Sequence, residues 1–135
     1  MEQAIELSNY NKKWLELFEN ERQRLTPPLQ DHLLEVAHVG STSVEGLIAK
    51  PIIDIAVLIK DITKIDELVP GLEQAGYDYH GEFGLPGRQF FTRGTPRVVH
   101  VHLVDGNSSH WHMWHTFRDA LRRDPKLREA YQSLK

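Results

Sequence analysis

The run Ile52-Ile53-Asp54-Ile55-Ala56-Val57-Leu58-Ile59 constrains the fold more than any other stretch of the chain. Its branched aliphatic residues ask for a buried strand, yet it carries one carboxylate. A buried acid is costly unless it is paired, hydrogen-bonded or metal-bound. With a period of two, Asp54 shares a face with Ile52, Ala56 and Leu58, while Ile53, Ile55, Val57 and Ile59 face the other way. Upstream, the strand-like LLEVAHV (33–39) enters the small-residue turn Gly40-Ser41. Such a turn can offer backbone N–H groups to a phosphate. Two readings stand side by side. Either Asp54 is a structural acid that bonds this turn or pairs with Lys50, or turn and acid together form a ligand site.

Around this core the chain reads as α-β-β-α-β-β-β-α-α. Tyr10, Trp14, Leu17, Phe18 and Leu25 fall at helical spacing over 10–25, with Asn9 or Ser8 as cap and Thr26-Pro27-Pro28 as stop. A short helical turn is expected at 43–48, with Thr42 or Ser41 near its start, and the second strand at 51–59. A helix is expected at 61–76, with Thr63 and Asp66 resembling a capping box, a break at Pro70-Gly71 and a stop at Gly76. Strands at 77–83, 88–93 and 97–104, separated by Gly-Pro turns, predict an antiparallel meander. Asn107-Ser108-Ser109 caps a helix over 109–123, and Asp124-Pro125 opens a last one over 125–135. This order predicts a single α+β domain, residues 1–135, with helices covering one mixed or antiparallel sheet.

Composition narrows the function classes. A chain of 135 residues, 40% hydrophobic and 26% charged, is an ordinary globular domain. A net charge of −3 gives no reason to expect nucleic acid or an anionic membrane as partner. The absence of cysteine excludes disulfides, thiolate metal sites and cysteine nucleophiles. No signal peptide or transmembrane run is seen, so the cytoplasm is the expected compartment.

Several side chains are equipped for chemistry. His100 and His102, at i and i+2 on the last strand, reach one site and can ligate a metal together with a carboxylate. The alternative is a pair of half-exposed strand histidines bonded to their neighbours. One of the two can serve instead as a general base. Lys50, Arg88, Arg93 and Arg97 are candidate anion binders, against the usual fate of surface cations, which is solvation; Arg88 and Arg93 lie on opposite faces of their strand. His110, His112 and His115 read as surface or core-edge residues, and Trp111, Trp114 and Phe117 as core.

The segments HVGSTSVEGLIAKPIIDI (38–55), GRQFFTRG (87–94), VHVHLVD (99–105) and HWHMWHTFRDALRRDPKLREAYQSLK (110–135) make the sequence resemble the GrpB family, also described as a dephospho-CoA kinase/protein-folding accessory domain. The resemblance implies a polymerase-β-type nucleotidyltransferase fold. There a Gly-Ser turn holds nucleotide phosphates, and an acid-x-acid strand plus a third acid bind two magnesium ions. Gly40-Ser41 matches the turn, with Thr42, Ser43, Lys50, Arg88 and Arg93 as neighbouring phosphate contacts. Asp54 matches the first acid, but the second position is Ala56, and the third corresponds to the strand of His100 and His102.

Two expectations follow for the site. One is a single divalent ion (magnesium, manganese or zinc) on Asp54, His100 and His102; the other is a ligand held without metal. The expected ligand is a nucleotide or other small phosphate-bearing molecule. The expected activity is nucleotidyl or phosphoryl transfer; the alternative is a non-catalytic accessory or interaction domain with a degenerate site. GrpB-like chains commonly carry a further helical stretch after the point matching 131–135, and the apolar face so left suits a homodimer.

Overall fold

The structure, a computed structural model, describes residues 9–133. Helix α1 (Lys13–Leu29) leads into β1 (Leu33–Val39), and a 3-10 turn at Ser41–Ser43 precedes β2 (Ile53–Ile59). Helix α2 (Ile65–Gln74) is followed by β3 (Asp78–Tyr79), β4 (Gln89–Arg93) and β5 (Val99–Asp105), then α3 (Ser109–Arg123) and α4 (Pro125–Gln132). The strands form one sheet in the order β1-β2-β5-β4-β3. It is mixed, because β2 and β5 run parallel while every other neighbour is antiparallel. The α+β expectation holds, and so does the β3-β4-β5 meander.

Period two on β2 sorts the two faces. Ile53, Ile55, Val57 and Ile59 join Val99, Val101, Leu103 and Phe91 under α1 and α2, which contribute Trp14, Leu25, Leu29, Leu68 and Leu72. The opposite face carries Ala37, Val39 and Ala56, against which Trp111 and Trp114 of α3 pack. Small residues there leave room for two indoles. Phe117, expected in the core, is instead exposed, edge-on to Tyr131 of α4.

Five features depart from the sequence expectation. Helix α1 passes through Pro27 and Pro28, because Leu25 and Leu29 are both fully buried and hold its last turn to the core. Helix α2 also runs uninterrupted past Pro70. Gly71 beside it lets Pro28 approach so closely that a Cβ on Gly71 would lie 3.2 Å from the Pro28 Cβ. The expected capping box does not form at its start: the Asp61 carboxylate accepts from the Thr63 N–H at 3.0 Å and caps the 3-10 turn Ile62–Lys64 that leads into α2. The strand expected over 77–83 shrinks to two residues, since Gly81, Phe83 and Gly84 take positive φ and leave the ladder. No helical turn forms at 43–48; the 3-10 turn lies earlier, at Ser41–Ser43. The caps at Ser108 and Asp124 are as expected, and the stop at Gly76 has φ +103°. Of the two caps expected for α1, Ser8 lies outside the described residues and Asn9 lies four residues before the helix; the cap position is Lys12, which offers no side-chain acceptor, and Asn11 just before it accepts from Lys13 N–H at 2.9 Å. Residues 134–135 of the last helix also lie outside.

One buried charge ties α1 to the sheet. Glu21 is 1% exposed, and Arg93 grips it bidentately at 2.8 and 2.7 Å while the Tyr77 hydroxyl donates at 2.7 Å. Burial, and then Glu21, push the Tyr77 hydroxyl's pKa far upward. Arg93, expected as a phosphate contact, is held by Glu21 on the face of the sheet away from Asp54. Removing one partner of a buried pair costs about 3–5 kcal/mol, because the other charge is left unpaired. Arg93→Met is expected to lower unfolding free energy in urea by about 3 kcal/mol.

Candidate functional site

Parallel pairing of β2 with β5 sets Asp54 opposite His100 and Ala56 opposite His102. The antiparallel neighbour β4 adds Thr92 and Phe90 to the same face. On the other side Val39 of β1 pairs with Asp54, so Gly40 follows at once beside the carboxylate.

The His102 Nε2–H donates to Asp54 Oδ1 at 2.9 Å, and His100 Nδ1 stands 3.5 Å from the same oxygen. Arg88 Nη1 donates to His102 Nδ1 at 3.2 Å, which fixes the tautomer: Nδ1 accepts and Nε2 carries the hydrogen. Burial works to raise the Asp54 carboxyl's pKa, but the hydrogen bonds and charge of His100 and His102 outweigh it and hold the group down at about 2. Asp54 is thus ionised at neutral pH. Arg88 also donates from Nη2 to the carbonyls of Glu82 and Phe83, at 3.2 and 3.1 Å, and lies 4.6 Å over the Phe90 ring. Two nitrogens in this network, His100 Nε2 and Arg88 Nε, are buried and have no hydrogen-bond partner among the described residues. Such groups cost free energy unless a ligand or water meets them.

Gly40 adopts φ 74° and ψ −174°, a conformation that only glycine tolerates well. A Cβ there would come within 2.6 Å of Asp54 Oδ2. The turn and the acid are therefore in direct contact, as the sequence led one to expect. The turn's hydroxyls are differently placed. Thr42 Oγ1 is buried 2.8 Å from His38 Nε2, and Ser43 Oγ donates to the Gly40 carbonyl at 2.6 Å. Of the three, only Ser41 is not buried, its hydroxyl 3.4 Å from that of Tyr131. The hydroxyls of Thr42 and Ser43, both expected as phosphate contacts, are bonded within the segment 38–43. Lys50 is exposed. The structure thus brings Gly40, Ser41, Asp54, Arg88, His100 and His102 together and sends Arg93 to the far face.

The divalent ion implied by the resemblance does not fit this donor set. Both nitrogens of His102 are engaged, Ala56 removes the second carboxylate, and Asp54 already accepts from an imidazole. Among the described residues no group of three His, Asp or Glu side chains is placed to hold a metal.

Sequence reasoning missed five contributors. His110 stacks on Trp114 at 5.7 Å between centroids, and Trp114 lies 5.1 Å from His102, so α3 walls the cleft. Phe90 contacts both site histidines, at 5.3 and 5.4 Å. Behind the turn, Arg118 donates to the His38 carbonyl at 3.2 Å, and Arg122 donates twice to the Ser43 carbonyl, at 3.1 and 2.8 Å. The only trace of this clamp in the sequence is the i, i+4 spacing of two arginines on the helix stripe that also carries Trp111 and Trp114.

A family model described as GrpB protein matches residues 4–135. The crystal structure of the conserved protein GrpB from Enterococcus faecalis is similar with a TM-score of 0.90 and 40% identity, covering 96% of this chain and 79% of that one. The UPF0157 protein SCO7215 of Streptomyces coelicolor is 38% identical over 97% of this chain and 68% of its own length. The glutamate-rich protein GrpB of Alkalihalophilus pseudofirmus is 30% identical over 96% of this chain and 78% of its own. The UPF0157 protein YqkA of Bacillus subtilis is 33% identical over 97% of this chain, which spans 38% of that longer protein.

Two measurements probe the turn. Gly40→Ala must accept both a forbidden backbone angle and the Asp54 contact, so urea unfolding is expected to show a loss of at least about 2 kcal/mol. Burial, then the positive charge of Arg122, push the pKa of His38 down from 6.5 to about 4, against the pull of Asp54. The unfolded chain binds this proton below 6.5 and the folded one only near 4. Stability is therefore complete above pH 6.5 and falls between 6.5 and 4, by about 3 kcal/mol in all. His38→Gln is expected to flatten that part of the curve.

Proposed function

We propose that this chain, which belongs to the GrpB family, uses the Asp54 cleft to bind a small phosphate-bearing molecule, a nucleotide in the first instance, and to exchange a proton with it. The observation that carries the reading is the shared carboxylate oxygen: Asp54 Oδ1 faces both His102 Nε2 and His100 Nδ1. An ionised acid behind an imidazole orients the ring and stabilises its positive charge once it takes a proton. His102 is locked between Asp54 and Arg88, so it positions. His100 keeps an unpartnered Nε2 and is the group that receives a proton from a bound hydroxyl. Arg88 and a protonated imidazole offset phosphate charge, while Gly40-Ser41 closes the cleft at the carboxylate side and Trp114 and Phe90 supply flat apolar walls.

A proton acceptor beside a phosphate is what activation of an acceptor hydroxyl requires, so nucleotidyl or phosphoryl transfer is the reaction class this cleft supports. A nucleotidyltransferase-like fold, implied by the resemblance in which Gly40-Ser41 and Asp54 match that pattern, belongs to the same proposal. With Ala56 in the second acid position, the residues do not assemble a two-magnesium centre, and no step here is assigned to a metal.

Thermal-shift titration with nucleoside di- and triphosphates tests the binding. A saturable rise in Tm that EDTA leaves intact and Asp54→Asn abolishes is expected, because loss of the carboxylate removes the imidazoles' charge partner. His100→Gln is expected to keep the Tm rise and lose release of pyrophosphate or phosphate. No Tm rise with any of these ligands overturns the reading. A rise that needs added magnesium, manganese or zinc overturns its metal-free form. A rise with no turnover in the wild-type protein assigns the cleft to binding alone.

A further inference from the structure

The molecule carries a second concentration of positive charge, on the side of the turn away from Asp54. An open cavity of about 570 Å³ is lined by Tyr10, Leu15, Ser43, Glu45, Arg122 and Arg128. That volume lies within the range of small-molecule sites. Both guanidiniums are held rigidly by backbone. Arg122 donates from Nε and Nη2 to the Ser43 carbonyl, and Arg128 donates from Nη1 to the carbonyls of Leu121 and Arg122, at 2.8 and 2.9 Å. Carbonyl partners orient a guanidinium without neutralising it. Among the described residues neither arginine forms an ion pair with a carboxylate. The nearest acid on the helix, Asp119, is bound to Arg118 at 3.0 Å. Burial, and then the charge of Arg118, pull the Arg122 guanidinium below its ordinary pKa, so its charge is under-compensated in the folded protein.

We infer that this cavity is an anion site, separate from the Asp54 cleft, that takes the phosphate group of a small soluble molecule between Arg122 and Arg128. Two forks that arrive from different helices suit a tetrahedral oxyanion, which accepts from both; a planar carboxylate fills one fork. Tyr10 and the exposed Leu15 give the non-phosphate part of the ligand an apolar wall. Glu45 opposes the two cations and keeps the site from holding any anion indiscriminately. Because Arg122 grips the carbonyl of Ser43, the last residue of the 3-10 turn that starts beside Asp54, an anion here bears on the geometry of the first site. Nothing in this inference depends on what the Asp54 cleft binds.

Inorganic phosphate, with acetate and chloride as comparators, is the probe. In 15N-labelled full-length protein, the Arg122 and Arg128 Nε–H signals and the Ser43 and Glu45 amides are followed by NMR. Saturable shifts at millimolar phosphate are expected, with little response to acetate or chloride, and unchanged in Asp54→Asn. Arg128→Gln is expected to weaken phosphate about tenfold. Two exposed substitutions make the test independent of folding: Glu45→Gln should tighten phosphate about two- to threefold, and Leu15→Glu should weaken it by a similar factor. Shifts insensitive to Glu45→Gln, Leu15→Glu and Arg128→Gln overturn the site. So do shifts confined to Gly40, His100 and His102, or none at all. An equal response to acetate overturns its assignment to phosphate.

Discussion

Asp54 holds its charge inside a strand because the next strand in the sheet, β5, sets two histidines on the same face. In a parallel pair, residues of matching register face the same side, so one carboxylate meets two imidazoles spaced by two positions on β5. Burial alone would push the acid toward its neutral form; the two histidines reverse the balance. Everything else in the site follows from that contact. Arg88 takes the nitrogen of His102 that Asp54 leaves over, Phe90 fills the space between the imidazoles and the loop, and Gly40 is glycine because a side chain would collide with the carboxylate.

The arginines divide the labour by the face on which they emerge. Arg88 and Arg93 stand at the two ends of the same short stretch, yet one serves the Asp54 network and the other neutralises the buried Glu21. Arg118 and Arg122 come from α3 and are spent on two backbone carbonyls at the ends of one segment, His38 and Ser43. That segment contains Gly40, whose strained backbone needs external support. Hydrogen bonds to charged donors are worth about 1.5–3 kcal/mol each, comparable to the strain they offset.

Local chemistry made much of this legible in the sequence. The element order, the Ser108 and Asp124 caps, the stop at Gly76 and the two faces of β2 follow from side chains that act within a few residues of themselves. That Gly40, Asp54, His100 and His102 meet followed from the family resemblance, which set the strand of the two histidines beside that of Asp54; period two added only the face each side chain takes. What escaped depends on distant partners. Arg93 looks like an anion contact until Glu21 is known to be buried; Glu21 falls on the stripe of Trp14, Leu17, Phe18 and Leu25, but helical spacing does not say which distant cation meets it. Pro27 and Pro28 look like a helix stop until Leu29 is seen to reach the core. His110 and Trp114 read as ordinary helix residues because their approach to His102 is set by how α3 crosses the sheet.

The turn at 40–43 is where these strands of argument meet. It is stiff: Ser43 donates both its N–H and its hydroxyl to the Gly40 carbonyl, at 3.1 and 2.6 Å, and Thr42 is tied to His38. A stiff segment gripped by Arg122 at one end and pressed on Asp54 at the other passes displacement along instead of absorbing it. If the Arg122–Arg128 cavity and the Asp54 cleft each hold an anion, their affinities are linked, and linkage is reciprocal: whatever the first ligand does to the second, the second does equally to the first. The sign is set by Arg122. A guanidinium drawn toward a phosphate loosens its hold on the Ser43 carbonyl, which frees Gly40 to move away from Asp54 and weakens the cleft's closed geometry. Physical reasoning therefore favours negative coupling between the two sites, with the turn as the element that both must share.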